Sequence, residues 1–253
     1  MRSIKYYSIS KKGKSSQQNE DYVALPSKKV ADRVLAEKGL FFVLCDGLGG
    51  ATAGEIASRI CARTIYEDYY SSNYEKDISL WLINSINAAN NRIIGIIDDF
   101  PQYKGMGTTL VSLLIRDKEA YINSVGDSRC YLYQSGKFEQ ISEDQSPAWE
   151  NYRKGLITKN ELTNCKYKNL ISEAVGIHVN PMINAYQLPL QENFTFLLCS
   201  DGLSDLCTDA EIEEVIAEAS GLKNCCNLLY KKAVKQGSMD DISIIMISNY
   251  LNK

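Results

Sequence analysis

Acidic residues border apolar stretches at four separate places in this sequence. These residues are Asp46, Asp127, Asp201 and Asp240. Each follows or shortly precedes a run that is typical of a buried strand, such as GLFFVLC or FTFLLCS. A carboxylate beside a hydrophobic core is costly unless it is paired or binds a cation. Arg129 is the one close basic neighbour. If the runs are neighbouring strands, the four side chains converge at one end of a sheet.

Each of these acidic residues also has a purely structural interpretation. Asp-Gly, found at 46–47 and at 201–202, is a common turn dipeptide. Asp127 could cap a turn, and Asp240 with Asp241 could form a solvated loop. The same arrangement at four strand ends favours the functional interpretation.

Oxygen ligands without nitrogen or sulfur select hard cations. Carboxylates suit Mg²⁺ or Mn²⁺, which bind octahedrally and retain several waters. Zinc is disfavoured, because no His and Cys cluster has ligand spacing. Two divalent ions would be roughly neutralised by the four carboxylates. Such a pair lowers the pKa of bound water and supplies hydroxide, which suits in-line attack on a phosphate ester.

Other hydrolytic mechanisms lack their motifs. His178 is the only histidine, so Ser-His-Asp or Cys-His catalysis has one possible base, and a loop or surface role suits it better. No cysteine has an arginine six positions later, no Asp-x-Asp occurs, and no Gly-x-x-x-x-Gly-Lys is present. Water activated by a metal is the remaining option.

The elements around these residues predict antiparallel sheets with helices packed outside them. Short apolar runs bounded by Gly, Asp or Asn predict strands at 39–45, 108–115, 119–125, 130–134, 194–200 and 242–248. Apolar periodicity predicts helices from about Glu55, over 78–93, from an N-cap at Thr208 or Asp209, and over 223–235. We expect one domain over 1–253, with a polar excursion near 149–170 that is a candidate flap.

The bulk composition limits the binding partners and the cellular compartment that we expect. The chain has 253 residues and a net charge of −3, without the basic face that nucleic acid or an anionic membrane requires. Eight cysteines without a Cys-x-x-Cys pair indicate reduced thiols and a cytoplasmic protein. No apolar stretch approaches 18 residues, so no transmembrane helix is expected.

Ordered motifs along the chain resemble the metal-dependent protein phosphatases known as protein phosphatase 2C, in their compact bacterial form. The order and spacing hold over about residues 10–248. The matching segments are Asn19-Glu20-Asp21, Cys45-Asp46-Gly47-Leu48-Gly49-Gly50, Gly105-Met106-Gly107-Thr108-Thr109-Leu110, Val125-Gly126-Asp127-Ser128-Arg129, Cys199-Ser200-Asp201-Gly202-Leu203-Ser204-Asp205 and Met239-Asp240-Asp241-Ile242-Ser243.

This resemblance implies an α+β fold, a four-layer α-β-β-α sandwich in which helices flank two antiparallel sheets. It implies two or three Mn²⁺ or Mg²⁺ ions at one edge, with Asp46 bridging two of them and the Gly47 carbonyl on the second. Asp201 and Asp240 would complete the first ion, and Glu20 would hold waters of the second. Catalysis would therefore depend on Glu20 and Asp46.

The resemblance also implies neighbours of that pair of ions. Asp127 and Asp201, with Asp205 as a further candidate, match a third-metal site. A mobile flap would correspond to 149–170. Thr108, Thr109 and Arg129 would be structural, with Arg129 orienting Asp127.

The sequence departs from the family pattern at three positions. Ser16 stands where relatives carry an arginine that grips the substrate phosphate, and Lys14 or Lys12 could substitute for it. Asp241 replaces the usual Asn and could tighten metal binding or face solvent. Leu48 stands where animal relatives have a histidine, so the leaving group needs another proton donor.

The resemblance implies a monomeric phosphatase that acts on phosphoserine and phosphothreonine in proteins, opposing a bacterial Ser/Thr kinase. The alternative is a catalytically weak or inactive module that binds phosphoproteins on the same fold. A third hypothesis is a phosphatase dedicated to one anti-sigma-type partner.

Overall fold

The computed structural model describes residues 3–26, 32–49, 53–71, 77–163, 165 and 170–250. The strands are β1 (Lys5–Lys11), β2 (Tyr22–Ala24), β3 (Leu40–Cys45), β4 (Gly47–Leu48), β5 (Gly107–Thr108), β6 (Leu110–Arg116), β7 (Glu119–Val125), β8 (Arg129–Gln134), β9 (Lys137–Gln140), β10 (Asn184–Pro189), β11 (Phe194–Cys199) and β12 (Ile242–Ser248). The helices are α1 (Asp32–Lys38), α2 (Ala53–Ser71), α3 (Ile78–Asp99), α4 (Pro147–Arg153), α5 (Lys159–Thr163), α6 (Asp201–Ser204), α7 (Asp209–Glu218) and α8 (Leu222–Lys235), with a 3₁₀ turn at Pro101–Tyr103.

Two antiparallel sheets of five strands form the centre of the molecule. One sheet has the order β1-β12-β11-β8-β9 and the other β10-β7-β6-β3-β2, while β4 and β5 pair separately. Alternate residues of the central strands point into the space between the sheets, including Phe42 and Leu44 of β3 and Phe196 and Leu198 of β11. This shared apolar layer holds the two sheets face to face.

Helices cover the two outer faces. Phe41, Val43 and Cys45, which alternate with the inward residues of β3, pack against α2 and α3. The outward residues of β12 pack with α7 and α8 in the same way, for example Ile244 and Met246. The expected four-layer α-β-β-α sandwich, with two antiparallel sheets between helices, is confirmed.

Local sequence signals fix the helix starts. The side chain of Asp77 accepts a hydrogen bond from the Leu80 N–H and caps α3. At α7 the N-cap is Thr208, the first of the two expected candidates, and Thr208 and Glu211 form a reciprocal capping box.

Two of the sequence expectations concern thiols and membrane spans. All eight cysteines are free. Among the described residues, no helix combines the length and the apolar character needed to cross a membrane.

The segment predicted as a flap, 149–170, contains the end of α4 and all of α5. The part of this segment at 164 and 166–169 lies outside the described residues.

Candidate metal centre

The acidic residues lie at the same end of the two sheets, where the strands next to them begin or end. Asp46 directly follows β3, Asp201 begins α6 right after β11, and Asp240 stands two residues before β12. Asp127 lies in the turn between β7 and β8. Antiparallel pairing puts the end of β11 beside the starts of β8 and β12, and the end of β3 beside the start of β6.

The carboxylates at this edge lie close enough to shift one another's pKa. Burial and then the charges of neighbouring aspartates raise the pKa of Asp46 well above its ordinary value; these neighbours are Asp21, Asp201, Asp127 and Asp240. Burial, followed by the charges of Asp240 and Asp205, raises the pKa of Asp201 to about 7. The structure thus brings together a set that we call the acidic cluster: Asp21, Asp46, Asp127, Asp201 and Asp240.

Main-chain hydrogen bonds hold Asp46 at the end of its strand. Its N–H donates to Thr109 Oγ1 at 3.1 Å, and its carbonyl accepts from Thr109 N at 2.8 Å and Thr108 Oγ1 at 2.8 Å. Thr108 and Thr109 therefore have a structural role beside the cluster, by fixing the backbone of its central carboxylate.

Glu20 lies next to the cluster, against the start of α2. Its backbone carbonyl accepts a hydrogen bond from Ser58 Oγ at 2.5 Å. A Cβ on Gly54 would lie 2.0 Å from Glu20 Oε2, so a side chain at position 54 would displace this carboxylate from its place against α2. Burial and then the charges of Asp241 and Asp240 raise the pKa of Glu20.

The donor atoms of the acidic cluster fit a hard divalent cation. Two buried oxygens, Oδ1 of Asp201 and Oδ1 of Asp21, have no hydrogen-bond partner within the described part of the chain. Buried acceptors are usually paired, and an exception calls for an ion or a water. Cations would also relieve the repulsion that raises the pKa of Asp46.

The cluster does not form a closed cage. Across the described ranges, no three His, Cys, Asp or Glu side chains are grouped tightly enough to hold an ion alone. Mg²⁺ keeps several waters and takes only one or two carboxylates directly, so an open arrangement suits such a hydrated ion.

Comparison with known proteins identifies the family. The sequence model of Protein phosphatase 2C matches residues 12–232. The chain belongs to the protein phosphatase 2C family. It is 31% identical over 218 residues to the serine/threonine phosphatase stp of Listeria innocua, a match that covers 85% of this chain and 86% of that protein.

Solved structures agree with this membership. The serine/threonine phosphatase Stp1 of Staphylococcus aureus has a TM-score of 0.86 and 27% identity, covering 98% of this chain and 95% of that one. The catalytic domain of the phosphatase PstP, solved in complex with 2 manganese ions, has a TM-score of 0.80 and 27% identity, covering 96% and 97%. This protein phosphatase 2C member is a protein serine/threonine phosphatase. The manganese ions bound by PstP agree with the expected Mn²⁺ or Mg²⁺. The comparisons do not support the inactive-module alternative.

A cavity of about 600 Å³ adjoins the acidic cluster of this protein phosphatase 2C member on the side of α4 and α5. Its walls include Asp127, Asp201 and Asp205, the three residues predicted for a third metal. Burial, and then the charges of Asp201, Asp144 and Asp205, raise the pKa of Asp127, while Arg129 lowers it. The three predicted third-site residues therefore share one wall.

The expected role of Arg129 is wrong in one respect. Its guanidinium hydrogen-bonds Asp144 rather than orienting Asp127, with Nη2 at 2.6 Å and Nε at 3.0 Å from Oδ2. Its Nη1 donates to Tyr131 Oη at 3.0 Å. This planar fork makes hydrogen bonds to both oxygens of the carboxylate, and the two side chains, 18% and 9% exposed, line the cavity.

The predicted substrate-binding residues lie in the loop between β1 and β2. Lys12 Nζ donates to the Ser16 carbonyl at 2.7 Å, which places its ammonium next to the position that carries arginine in relatives. Lys14 is exposed in the same loop. Of the two predicted substitutes, Lys12 is the one with a defined contact to residue 16.

Sequence reasoning gave no role to Asp21 and found neither contact of Asp241. Asp21 is 7% exposed, accepts a hydrogen bond from Ser200 Oγ at 2.9 Å and has its pKa raised to about 7, chiefly by burial. Asp241 is also buried, and both of its oxygens accept main-chain hydrogen bonds, so it neither faces solvent nor sits free for a metal. The adjacency of each to a predicted ligand, Glu20 or Asp240, was the available signal.

Proposed function

We propose that the acidic cluster is the catalytic metal site of this phosphatase. Asp46, the Gly47 carbonyl, Glu20, Asp201 and Asp240 would hold two divalent ions. Asp127, Asp201 and Asp205 would hold a third. The observation that carries the proposal is the group of carboxylates whose charges raise the pKa of Asp46, together with two buried carboxylate oxygens in it that have no hydrogen-bond partner among the described residues.

Ions bound there would lower the pKa of water for in-line attack on phosphorus and offset the charge of the phosphate. The residues of the chain do the rest. Thr108 and Thr109 fix the Asp46 backbone, and Glu20 orients water beside α2. His178 is exposed and contributes its carbonyl to Asn90, so we assign protonation of the leaving group to water rather than to histidine.

The substrates would be phosphoserine and phosphothreonine in proteins modified by a Ser/Thr kinase, met in the cytoplasm by a monomeric enzyme. Lys12, Lys14 and Ser16 form the phosphate-facing loop in this proposal. A lysine supplies a point charge without the two-pronged geometry of arginine, so this loop would grip the phosphate less firmly than an arginine would.

Substitution of the bridging carboxylate tests the proposal most directly. Asp46→Asn removes the residue on which both ions would depend. We expect Mn²⁺-dependent hydrolysis of p-nitrophenyl phosphate and of a phosphothreonine peptide to fall at least about 100-fold, since loss of even a supporting partner of a ligand costs about 10–100-fold.

The matched control is Asp117→Asn. Asp117 lies after the far end of β6, and its side chain is 83% exposed and outside the cluster. The control should keep wild-type activity. Activity that survives Asp46→Asn, or that is equally lost in Asp117→Asn, would refute the assignment.

A further inference from the structure

The carboxylate of Asp241 joins two parts of the chain that are far apart in sequence. Its Oδ1 accepts a hydrogen bond from the Gly13 N–H at 2.6 Å, and its Oδ2 accepts one from the Glu20 N–H at 2.6 Å. The residue is only 4% exposed. Both carboxylate oxygens are thus directed at main-chain donors, which bracket the phosphate-facing loop at residues 13 and 20.

Further contacts join the same two segments. Ser15 donates to the Met239 carbonyl through its backbone N–H at 3.0 Å and through Oγ at 2.6 Å. A Cβ on Gly13 would lie 2.3 Å from the Asp240 carbonyl carbon, so the two backbones approach as closely as glycine permits. The 13–20 loop is therefore seated on the segment that carries Asp240.

A carboxylate is the side chain that suits two converging N–H donors. Each of its oxygens accepts one charge-assisted hydrogen bond. Asparagine, the residue that the resemblance leads us to expect here, offers one acceptor oxygen and one NH₂ group. An asparagine at 241 would leave one of the two part-buried amides facing another donor, which is costly.

We propose that Asp241 is a positioning residue, which holds Glu20 and the phosphate-facing loop in register with Asp240. This inference rests on the proposed catalytic role of Glu20. Asp241 acts through the backbone of Glu20 and touches neither the phosphate nor an ion.

Because Asp241 is negatively charged, an effect of its charge and an effect of its positioning role would change KM in opposite directions. Its charge helps to raise the pKa of Glu20, so it is felt inside the site. If the charge alone mattered, its removal would favour an incoming phosphate anion and lower KM. If positioning matters, its removal releases the loop and raises KM.

Two variants separate these effects. Asp241→Asn removes the charge and one acceptor, while Asp241→Glu keeps the charge but moves the carboxylate by one methylene in a buried space. We measure kcat and KM for a phosphothreonine peptide at saturating Mn²⁺, and amide hydrogen exchange of residues 13–20 in the metal-free protein. Both variants should raise KM about 10-fold, the equivalent of one lost hydrogen bond to a charged group, and should speed exchange at residues 13 and 20.

Asp117→Asn serves again as the control, because it removes one negative charge outside the site and should change neither readout. A lower or unchanged KM in Asp241→Asn, or Asp241→Glu with wild-type exchange and KM, would overturn the inference. Where Asp241→Asn does not fold, Asp241→Glu gives the same readouts. A failure of the proposed function would appear instead as no Mn²⁺-dependent turnover in the wild type, and amide exchange would still report on the contact with Asp241.

Discussion

The acidic cluster has two flanks that are built in different ways. On one flank, the 13–20 loop is fixed by hydrogen bonds from main-chain N–H groups to the buried carboxylate of Asp241. On the other, α5 reaches α7 through the pair of Lys159 and Asp209, with Nζ and Oδ2 2.9 Å apart and side chains 66% and 34% exposed. The cavity that Arg129 lines lies between this exposed pair and the cluster.

The difference means that the loop flank has a fixed geometry, whereas the contact on the α5 flank can change. Buried charge-assisted hydrogen bonds give a unique geometry, because breaking them strands a charge or an amide away from water. Exposed ion pairs contribute little and are easily exchanged for water. The loop flank therefore suits residues that must hold ions and phosphate in place, and the α5 flank suits contact with varied polypeptides around the phosphorylated residue.

The largest expected effect is on stability, at the pair of Arg129 and Asp144 that lines the cavity. Arg129→Ala leaves the largely buried Asp144 carboxylate, 9% exposed, without its guanidinium, although Gln140 Nε2 still donates to it at 2.8 Å. Breaking a buried pair costs about 3–5 kcal/mol. We expect urea unfolding to show a loss of that order. Arg153→Ala, which breaks an exposed pair with Glu143, should lose less than about 1 kcal/mol. Similar losses in both variants would contradict the distinction between buried and exposed polar contacts.

The second effect concerns the acidic cluster without metal. Asp21 and Asp201 each have a pKa raised from 3.8 to about 7, so between these values the folded protein binds more protons than the unfolded chain. Stability of the metal-free protein therefore falls as pH rises through this window. In EDTA we expect a higher Tm at pH 5 than at pH 8, measured by thermal unfolding.

Saturating Mn²⁺ provides the contrast for that titration. Ions that bind only the folded state stabilise it, and they bind best when the carboxylates are ionised. The difference in Tm between the two pH values should shrink or change sign. A metal-free Tm that rises from pH 5 to pH 8 would contradict the prediction.

The third effect tests the phosphate-facing loop. Ser16→Arg should lower KM for a phosphothreonine peptide several-fold, because a guanidinium can bind the phosphate through two parallel hydrogen bonds. Ser220→Arg adds the same charge at an exposed position between α7 and α8 and should leave KM unchanged. A KM that stays the same or rises in Ser16→Arg would show that this loop does not face the phosphate.

The smallest effect is expected at the exposed contact of α5. Lys159→Ala removes the pair with Asp209 and should change the free energy of unfolding by no more than about 0.5 kcal/mol, with unaltered hydrolysis of p-nitrophenyl phosphate. Lys154→Ala, which removes an exposed pair with Glu150, is the control. A loss above about 1 kcal/mol in Lys159→Ala alone would mean that both flanks are rigid.

The strands that could be predicted are the inner strands of the two sheets. The six predicted strands correspond to β3, β6, β7, β8, β11 and β12, which have neighbours on both sides. The unpredicted β1, β2, β9 and β10 are the four edges of the sheets. An inner strand is buried on both faces and reads as a continuous apolar run. An edge strand such as β10 alternates half-buried and exposed residues, which resembles a loop in sequence.

The site could be predicted in part for a related reason. Asp46 and Asp201 were recognisable because each places a charge at the end of an apolar strand. The structural roles of Asp144 and Asp241 were not, because they depend on long-range contacts, with Arg129 and with the backbone of Gly13 and Glu20. The local sequence shows where a charged residue stands beside an apolar run. The residue that contacts this charge is determined by the fold and cannot be identified from the local sequence.

The pairing of β1 with β12 has a consequence for synthesis. Lys5 lies opposite Ser248, and the segment that follows β1 is seated on the segment that precedes β12. A growing polypeptide on the ribosome therefore carries Glu20 and Asp46 long before Asp240 and Asp241 emerge from the exit tunnel. A translation product that stops before Asp240 lacks this carboxylate and also β12, the strand that pairs with both β1 and β11, so the acidic cluster is completed only after this strand has been made.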